Sequence, residues 1–242
     1  MSRVFTFDSV ESTHKGNVRT LNEDTILSRE DAGLWVVADG MGGHEAGEVA
    51  SQLIVSSLES LPHRAYVSDF VDDVEDTLLL VNQKLRAHSL EKLNGLTVGS
   101  TVVCLILREA VGVALWVGDS RLYRLRDGRL EQLTKDHSEV QSQIDSGLLT
   151  PEQAENSAIK NMLSQAIGAF DVVDVDVNAF PIQHDDLFLL CSDGLYNELS
   201  AKEIEQALKI GHLDKVSEKL MRDCLSHEAK DNVSFIVVKA RK

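Results

Sequence analysis

Four aspartates stand where apolar runs of the sequence meet polar turns. Asp39, Asp119 and Asp193 each follow an apolar run, and Asp231 precedes one. Such runs predict buried strands, and buried strands can bring their end residues to one shared cleft. Taken singly, each aspartate is explained equally well by turn chemistry, because Asp-Gly pairs such as Asp39-Gly40 favour turns. Four aspartates in equivalent positions favour a common site.

A cluster of carboxylates suggests a particular kind of chemistry. Like charges repel one another unless cations lie between them, and hard oxygen ligands select Mg²⁺ or Mn²⁺ over zinc. The eight histidines are scattered without ligand spacing. Two cations about 3.5–4 Å apart would lower the pKa of a bridging water and stabilise an in-line displacement at phosphorus. This pattern therefore suits the hydrolysis of phosphoesters.

A glycine-rich segment, residues 39–48, joins the apolar run before Asp39 to a predicted helix. Glycine permits close approach of the backbone, so the carbonyl of Gly40 could reach a metal ion. The competing interpretation is a phosphate-binding nucleotide loop. The segment contains no lysine and neither of the glycine spacings of such loops, which disfavours nucleotide binding.

The hydrophobic pattern predicts two pairs of helices among many strands. The predicted helices are Ala46–Leu61 with Phe70–Lys92, and Ser200–Lys209 with Asp214–Ser226. The predicted strands are Val4–Val10, Thr25–Ser28, Leu34–Ala38, Thr101–Leu107, Val111–Val117, Arg121–Leu125, Val172–Phe180, Leu187–Cys191 and Val233–Val238. Short connections between neighbouring strands favour antiparallel pairing. The prediction is an α+β protein, a four-layer α-β-β-α sandwich of two mainly antiparallel sheets flanked by helix pairs.

The bulk properties favour one domain, residues 1–242, with a polar insert at 137–160 that we interpret as a flap near the site. No apolar run approaches the roughly 18 residues of a membrane span, and no signal peptide is apparent. We therefore expect a soluble cytoplasmic protein, and a monomer. The net charge of −15 disfavours binding to nucleic acid or to a membrane surface. The three cysteines form no CxxC pair, which favours buried thiols over disulfides or zinc.

Six short strings occur in the order found in bacterial type 2C metal-dependent protein phosphatases, and the chain resembles that family over nearly its whole length. The strings are Gly16-Asn17-Val18-Arg19 with Asn22-Glu23-Asp24, Ala38-Asp39-Gly40-Met41-Gly42-Gly43-His44, Gly99-Ser100-Thr101, Gly118-Asp119-Ser120-Arg121, Ser192-Asp193-Gly194-Leu195 and Lys230-Asp231-Asn232-Val233. Each string alone is a weak signal. Six of them at compatible spacings are a strong one.

The resemblance implies a set of metal ligands. In that family's pattern, Asp39 bridges two Mn²⁺ or Mg²⁺ ions and the carbonyl of Gly40 adds a ligand. Asp193 and Asp231 hold the remaining metal. Asp119 matches a position that helps to hold a third, weaker ion under the flap. Asn161, just after the flap, could reach that same ion.

The resemblance also implies roles in handling water, phosphate and protons. Glu23 and Asp24 would orient metal-bound waters, and Arg19 matches the phosphate-binding arginine, for which a surface salt bridge is the alternative. Some family members carry a histidine as the general acid two residues after the bridging aspartate. Here that position is Met41, and His44 is not assigned the role.

The implied function is a protein serine/threonine phosphatase in which a hydroxide bridging two Mn²⁺ or Mg²⁺ ions attacks phosphoserine or phosphothreonine directly. Its partners would be phosphorylated proteins, substrates of a bacterial Ser/Thr protein kinase. The alternative is a catalytically silent module of the same fold that binds phosphoproteins for regulation. Two settings stay open: stress signalling through an anti-sigma antagonist, and the small phosphatases encoded beside type VI secretion systems.

Overall fold

The computed structural model describes residues 5–42, 46–92, 94–155, 157 and 159–242. The strands are β1 (Thr6–His14), β2 (Asp24–Arg29), β3 (Leu34–Gly42), β4 (Val98–Ser100), β5 (Val102–Arg108), β6 (Val111–Val117), β7 (Arg121–Arg126), β8 (Arg129–Gln132), β9 (Asp176–Pro181), β10 (Leu187–Cys191) and β11 (Val233–Arg241). The helices are α1 (Ala46–Glu59), α2 (Val67–Lys92), α3 (Glu139–Asp145), α4 (Pro151–Glu155), α5 (Asp193–Tyr196), α6 (Ala201–Leu208) and α7 (Leu213–Ser226).

The strands form two antiparallel sheets. The first has the order β1-β11-β10-β7-β8, and the second has the order β2-β3-β5-β6-β9, with the short β4 paired to β3. The strand ends that carry the predicted site come from both sheets. Asp39 lies on β3 of the second sheet, whereas Asp193 follows β10 and Asp231 precedes β11 of the first.

Three buried apolar clusters hold four layers together. The central cluster packs one sheet on the other and includes Trp35 of β3, Leu105 of β5 and Phe188 of β10. A second cluster packs α1 and α2 on the outer face of the second sheet. A third packs α6 and α7 on the outer face of the first sheet. The predicted α-β-β-α sandwich is confirmed.

The local signals at the helix ends and at one turn also agree with the structure. Ser200 and Glu203 form a reciprocal capping box at the start of α6. Asp127 and Gly128, both with positive φ, make the two-residue turn between β7 and β8. Among the helices described, none is both long and apolar enough to cross a bilayer.

The structure differs from the predicted strands in several places: β1 runs on to His14, β3 and β11 extend beyond their predicted ends, and the short β4 was not predicted. The strand predicted at Val172–Phe180 begins only at Asp176, because its partner β6 ends at Val117 and pairing starts at Trp116 with Asp176. The edge strand β8 was missed, since its four residues contain a single apolar side chain, Leu130. The length of a strand depends on the strand with which it pairs, and sequence periodicity does not reveal that pairing.

The flap contains two short helices, α3 and α4, and its two ends meet at its base. The backbone N–H of Glu139 donates to the carbonyl of Met162, and Ser138 forms a bridge with Leu163. The hydroxyl of Ser138 accepts from the N–H of Gln141 and caps α3. These contacts anchor the flap where the chain enters and leaves it.

Candidate active site

A cluster of carboxylates lies where strands from the two sheets end. Asp39 on β3 stands opposite Asp24 on β2 in the antiparallel register. The carboxylates of Asp24 and Asp193 lie near enough for their charges to raise the pKa of Asp39. Asp119 and Asp231 also lie near enough for their charges to raise this pKa. All four strand-end aspartates, and Asp24, are therefore brought together.

The electrostatics show how strongly these carboxylates repel one another. Burial, together with the charge of Asp231, raises the pKa of Asp24 and of Asp193 to about 6. Burial and the charge of Asp193 raise the pKa of Asp119 to about 7. The pKa of Asp39 is raised well above its ordinary value, by burial first and then by the neighbouring carboxylates. The cluster needs either protons or cations to be stable at neutral pH.

The donor set fits hard divalent cations that keep part of their water. Oδ1 of Asp24 is buried and has no hydrogen-bond partner among the described residues, which is unfavourable for an isolated carboxylate oxygen. Among the described residues, no three histidine, cysteine or acidic side chains converge on one point as a complete cage. Mg²⁺-type ions commonly use one or two carboxylates and several waters, so an incomplete cage suits them. The predicted ligand Gly40 borders the cluster.

Gly40 and Glu23 meet at the first turn of α1. A Cβ on Gly40 would stand 2.2 Å from the carbonyl oxygen of Gly47, so only glycine allows this approach of β3 to α1. The carboxylate of Glu23 lies over the same turn, with Oε1 2.6 Å from the position of a Cβ on Gly47. A carboxylate at a helix N-terminus is stabilised by the helix dipole. Glu23 is thus held at the edge of the site.

Arg19 lies beside the carboxylates and forms an ion pair with one of them. Nη2 of Arg19 is 2.8 Å from Oδ2 of Asp231, and about half of the arginine side chain is exposed. This hydrogen bond and the charge of Asp231 raise the pKa of the guanidinium. The salt bridge expected as the alternative for Arg19 is present, but its partner belongs to the site. A half-exposed guanidinium here can also meet an incoming phosphoryl group.

Asn232 fixes the loop that carries Arg19, a role that the sequence did not reveal. Its buried side-chain amide donates to the carbonyls of Lys15 at 3.0 Å and Leu21 at 2.9 Å. Its Oδ1 accepts from the N–H of Glu23 at 2.8 Å. One side chain beside Asp231 therefore clamps both ends of the loop. The signal in the sequence was a polar residue at the start of an apolar strand, but its partners lie more than 200 positions away.

Ser192 is a second residue without a predicted role. Its hydroxyl lies 2.9 Å from Oδ2 of Asp24 and donates to it, and it accepts from the N–H of Ser234 at 3.0 Å. It therefore connects the end of β10 with β11 and with the buried carboxylate of β2. The donated hydrogen bond favours the charged form of Asp24, which burial disfavours.

The turn that carries Asp119 is fixed from two sides. The hydroxyl of Tyr196 in α5 donates to the carbonyl of Asp119 at 3.0 Å. At the flap entrance, the N–H of His137 donates to the carbonyl of Gly118, and Nδ1 of His137 accepts from the N–H of Gly118. Asn161 lines the same cavity as Asp119, but no hydrogen bond joins the two side chains in the part of the chain that the structure describes.

Comparison with known proteins assigns the site to a family. The family model described as protein phosphatase 2C matches residues 13–234. The chain belongs to that family. It is 33% identical over 234 residues to the serine/threonine phosphatase stp of Listeria monocytogenes, with 93% of each chain covered.

Two solved structures resemble this phosphatase 2C chain throughout. PppA, described as a key regulatory component of the T6SS in Pseudomonas aeruginosa, gives a TM-score of 0.90 at 37% identity and covers 98% of this chain and 99% of its own. The catalytic domain of the serine threonine protein phosphatase PstP, in complex with two manganese ions, gives 0.88 at 31% identity and covers 98% and 100%. The latter shows that this fold accommodates two manganese ions.

Met41 occupies the position at which some phosphatase 2C members carry a histidine. Its terminal methyl group lies 3.1 Å from the position that a Cβ on Gly99 would take, and Ala169 lies against the same glycine. The Met41 side chain therefore packs against Gly99 of β4, and a larger residue at position 99 would crowd it. His44 lies outside the described residues. No side-chain acid stands at the Met41 position itself.

Proposed function

We propose that this protein removes phosphate from phosphoserine and phosphothreonine residues of proteins, with Mn²⁺ or Mg²⁺ as its cofactor. The observation that carries the proposal is the buried carboxylate cluster, with its unpaired Asp24 oxygen, beside the half-exposed guanidinium of Arg19. Membership of the phosphatase 2C family supports it. The serine/threonine phosphatases among the relatives support the same substrate class.

The metal ligands would be divided as the family pattern implies. Asp39 would lie between two cations, with the carbonyl of Gly40 and the carboxylates of Asp193 and Asp231 as further ligands, and Asp119 would help to hold a third. When bound, such a cation pair lowers the pKa of water and stabilises an in-line displacement at phosphorus. We expect water rather than a side chain to attack, without a phosphoenzyme.

The chain's own residues orient the substrate and the water. The planar fork of Arg19 suits two non-bridging phosphoryl oxygens, and its ion pair with Asp231 holds it at the correct edge of the cluster. Glu23 and Asp24 present carboxylate oxygens that can accept hydrogen bonds from water. Orientation by fixed groups is a large part of catalysis of phosphoryl transfer.

The test is hydrolysis of p-nitrophenyl phosphate and of a phosphothreonine peptide with and without Mn²⁺. We expect activity only with the metal, and a loss of at least about a hundredfold in Asp193→Asn and Asp231→Asn, since each removes a charged ligand. Asp127→Asn is the matched control, because Asp127 is exposed in the β7–β8 turn and asparagine tolerates its positive φ. Metal-independent hydrolysis, or full activity of both site variants, would refute the proposal.

The substrates are proposed to be proteins phosphorylated by a bacterial Ser/Thr kinase, in the cytoplasm, with the phosphatase acting as a monomer. The likeness to PppA supports a setting in regulation of type VI secretion. No observation on the described residues favours the catalytically silent alternative, because Asp39, Asp193 and Asp231 all lie in the cluster. Tight Mn²⁺ binding in calorimetry, without turnover of any phosphosubstrate, would favour it.

A further inference from the structure

A cavity of about 500 Å³ lies between the flap and the segment that runs from α5 into α6. Asp119 stands at its border, so the cavity opens next to the carboxylate cluster. One wall is formed by Val140 and Ile144 of α3, and the segment from α5 into α6 lines the cavity with the half-buried Tyr196 and the exposed Ala201. A volume of this size lies within the range of ordinary ligand pockets.

The apolar side chains of the flap are directed at this cavity rather than at the core. Val140 and Ile144 are four residues apart and so lie on one face of α3. Both are half-buried, and neither belongs to the three apolar clusters that the described residues form. Their packing therefore contributes little to the three apolar clusters that hold the layers together. An apolar helix face of this kind can take an apolar group from outside.

The charges within the cavity are largely satisfied by one another. Arg121 forms a two-pronged ion pair with Asp136, with Nη2 to Oδ2 at 2.6 Å, and its guanidinium stacks on the ring of Tyr196 at 3.6 Å. The other charged groups that line the cavity are Asp119 at its border and the exposed Lys160. A charged side chain would have to pair with Asp119 or the exposed Lys160, whereas an aliphatic one would contact Val140 and Ile144.

We propose that this cavity binds an aliphatic side chain of the protein substrate, close in sequence to the phosphorylated residue. The proposal rests on the proposed phosphatase function, because the phosphorylated residue must sit on the carboxylate cluster next to Asp119. The cavity would then select substrates by the residue beside the phosphate. A small phosphoester has no such residue and does not use the cavity.

The first experiment measures substrate preference. In a phosphothreonine peptide of glycine, alanine and serine, a single leucine is moved through the four positions on each side of the phosphothreonine. We expect kcat/KM to rise about tenfold at one or two adjacent positions, as for one well-fitted aliphatic group in a pocket. If no position raises kcat/KM more than about twofold over the leucine-free peptide, the proposal is wrong.

The second experiment uses two flap variants. Ile144→Ser changes the wall of the cavity, and Leu148→Ser is the matched control, because Leu148 is an exposed flap residue outside the cavity lining. Ile144→Ser should abolish the preference for leucine, while Leu148→Ser should keep it. Hydrolysis of p-nitrophenyl phosphate should remain within about twofold of the parent in both, since a small ester does not reach the cavity.

The outcomes separate this proposal from the function on which it rests. Absence of Mn²⁺-dependent hydrolysis of p-nitrophenyl phosphate refutes the phosphatase function. Normal hydrolysis of that ester, with the leucine preference unchanged in Ile144→Ser, refutes only the cavity proposal. An equal loss on the ester and on all peptides in Ile144→Ser also refutes it, because that residue would then act through the catalytic site.

Discussion

The substitution Asn232→Ala should damage both the stability and the activity of the protein. The Asn232 side chain makes three hydrogen bonds to backbone groups of the loop that carries Arg19: to the carbonyls of Lys15 and Leu21, and from the N–H of Glu23. It is only 5% exposed, so water cannot fully replace the amide. At about 1 kcal/mol for each bond, the free energy of unfolding should fall by about 3 kcal/mol.

The effect on activity follows from Arg19. A hydrogen bond to a charged group is worth about 1.5–3 kcal/mol, and a loosened loop would lose part of this contact with the phosphoryl group. A loss of about 1.4 kcal/mol in transition-state binding corresponds to a tenfold lower kcat/KM. We therefore expect roughly a tenfold decrease on p-nitrophenyl phosphate at saturating Mn²⁺. Mn²⁺ is kept saturating so that a weaker metal affinity, caused by a disturbance of the neighbouring Asp231, does not contribute to this decrease.

The assay combines urea denaturation with steady-state kinetics. Asn178→Ala is the control, because the Asn178 amide also donates to a backbone carbonyl, that of Leu133, but away from the site. That variant should lose about 1 kcal/mol of stability and keep its kcat/KM. The reasoning fails if Asn232→Ala loses the expected stability yet keeps kcat/KM within about twofold. The loop would then position Arg19 without the hydrogen bonds of Asn232.

Three further predictions concern charge, metal and proton transfer. Arg19→Lys should lower kcat/KM by about tenfold or more, because lysine lacks the paired N–H groups that suit two phosphoryl oxygens. An unchanged melting temperature is the check that this variant folds normally. With EDTA, the melting temperature should fall as the pH rises from 5 to 7.5, and Mn²⁺ should abolish this fall. Met41→His should raise turnover of a phosphopeptide more than that of p-nitrophenyl phosphate, whose leaving group needs no proton, and equal changes on both substrates would contradict it.

The sign of the pH effect comes from the carboxylate cluster. The pKa of Asp24 and of Asp193 in the folded protein is about 6, and that of Asp119 about 7, above the roughly 3.9 of an unfolded chain. Groups with a raised folded pKa stabilise the protein fully below the unfolded pKa, and this contribution is lost as the pH rises through the folded pKa. Stability without metal should therefore decrease between about pH 4 and pH 7. A flat or rising profile with EDTA would contradict the clustering.

The sequence was informative where local chemistry decides the structure. Apolar runs that end in aspartate located Asp39 and Asp193, because a buried strand must end at a surface or a cleft. The capping box at Ser200 fixed the start of α6 through contacts within four residues. The helix pairs followed from periodicity, and their bounds differ from the structure by at most three residues at each end.

The sequence was uninformative where distant residues decide the structure. The role of Asn232 depends on carbonyls at positions 15 and 21, brought near only when β1 pairs with β11. The four-residue helix α5 begins at Asp193 itself, so a Ser-Asp-Gly string that suggested a turn is the start of a helix. The cavity under the flap joins residues 119, 140 and 204, and no periodic pattern marks that meeting.

Met41, at the position where some phosphatase 2C members carry a histidine, is fixed by its packing. Met41 fits because Gly99 leaves room for its methyl group, and a Cβ at position 99 would also stand only 3.0 Å from the carbonyl of Ile167. The segment 167–169 thus covers the Met41 position from the side of the flap exit. Met41 and the close approach of this segment therefore belong together, and among the described residues the groups beside Asp39 that can hold a leaving-group proton are the neighbouring carboxylates.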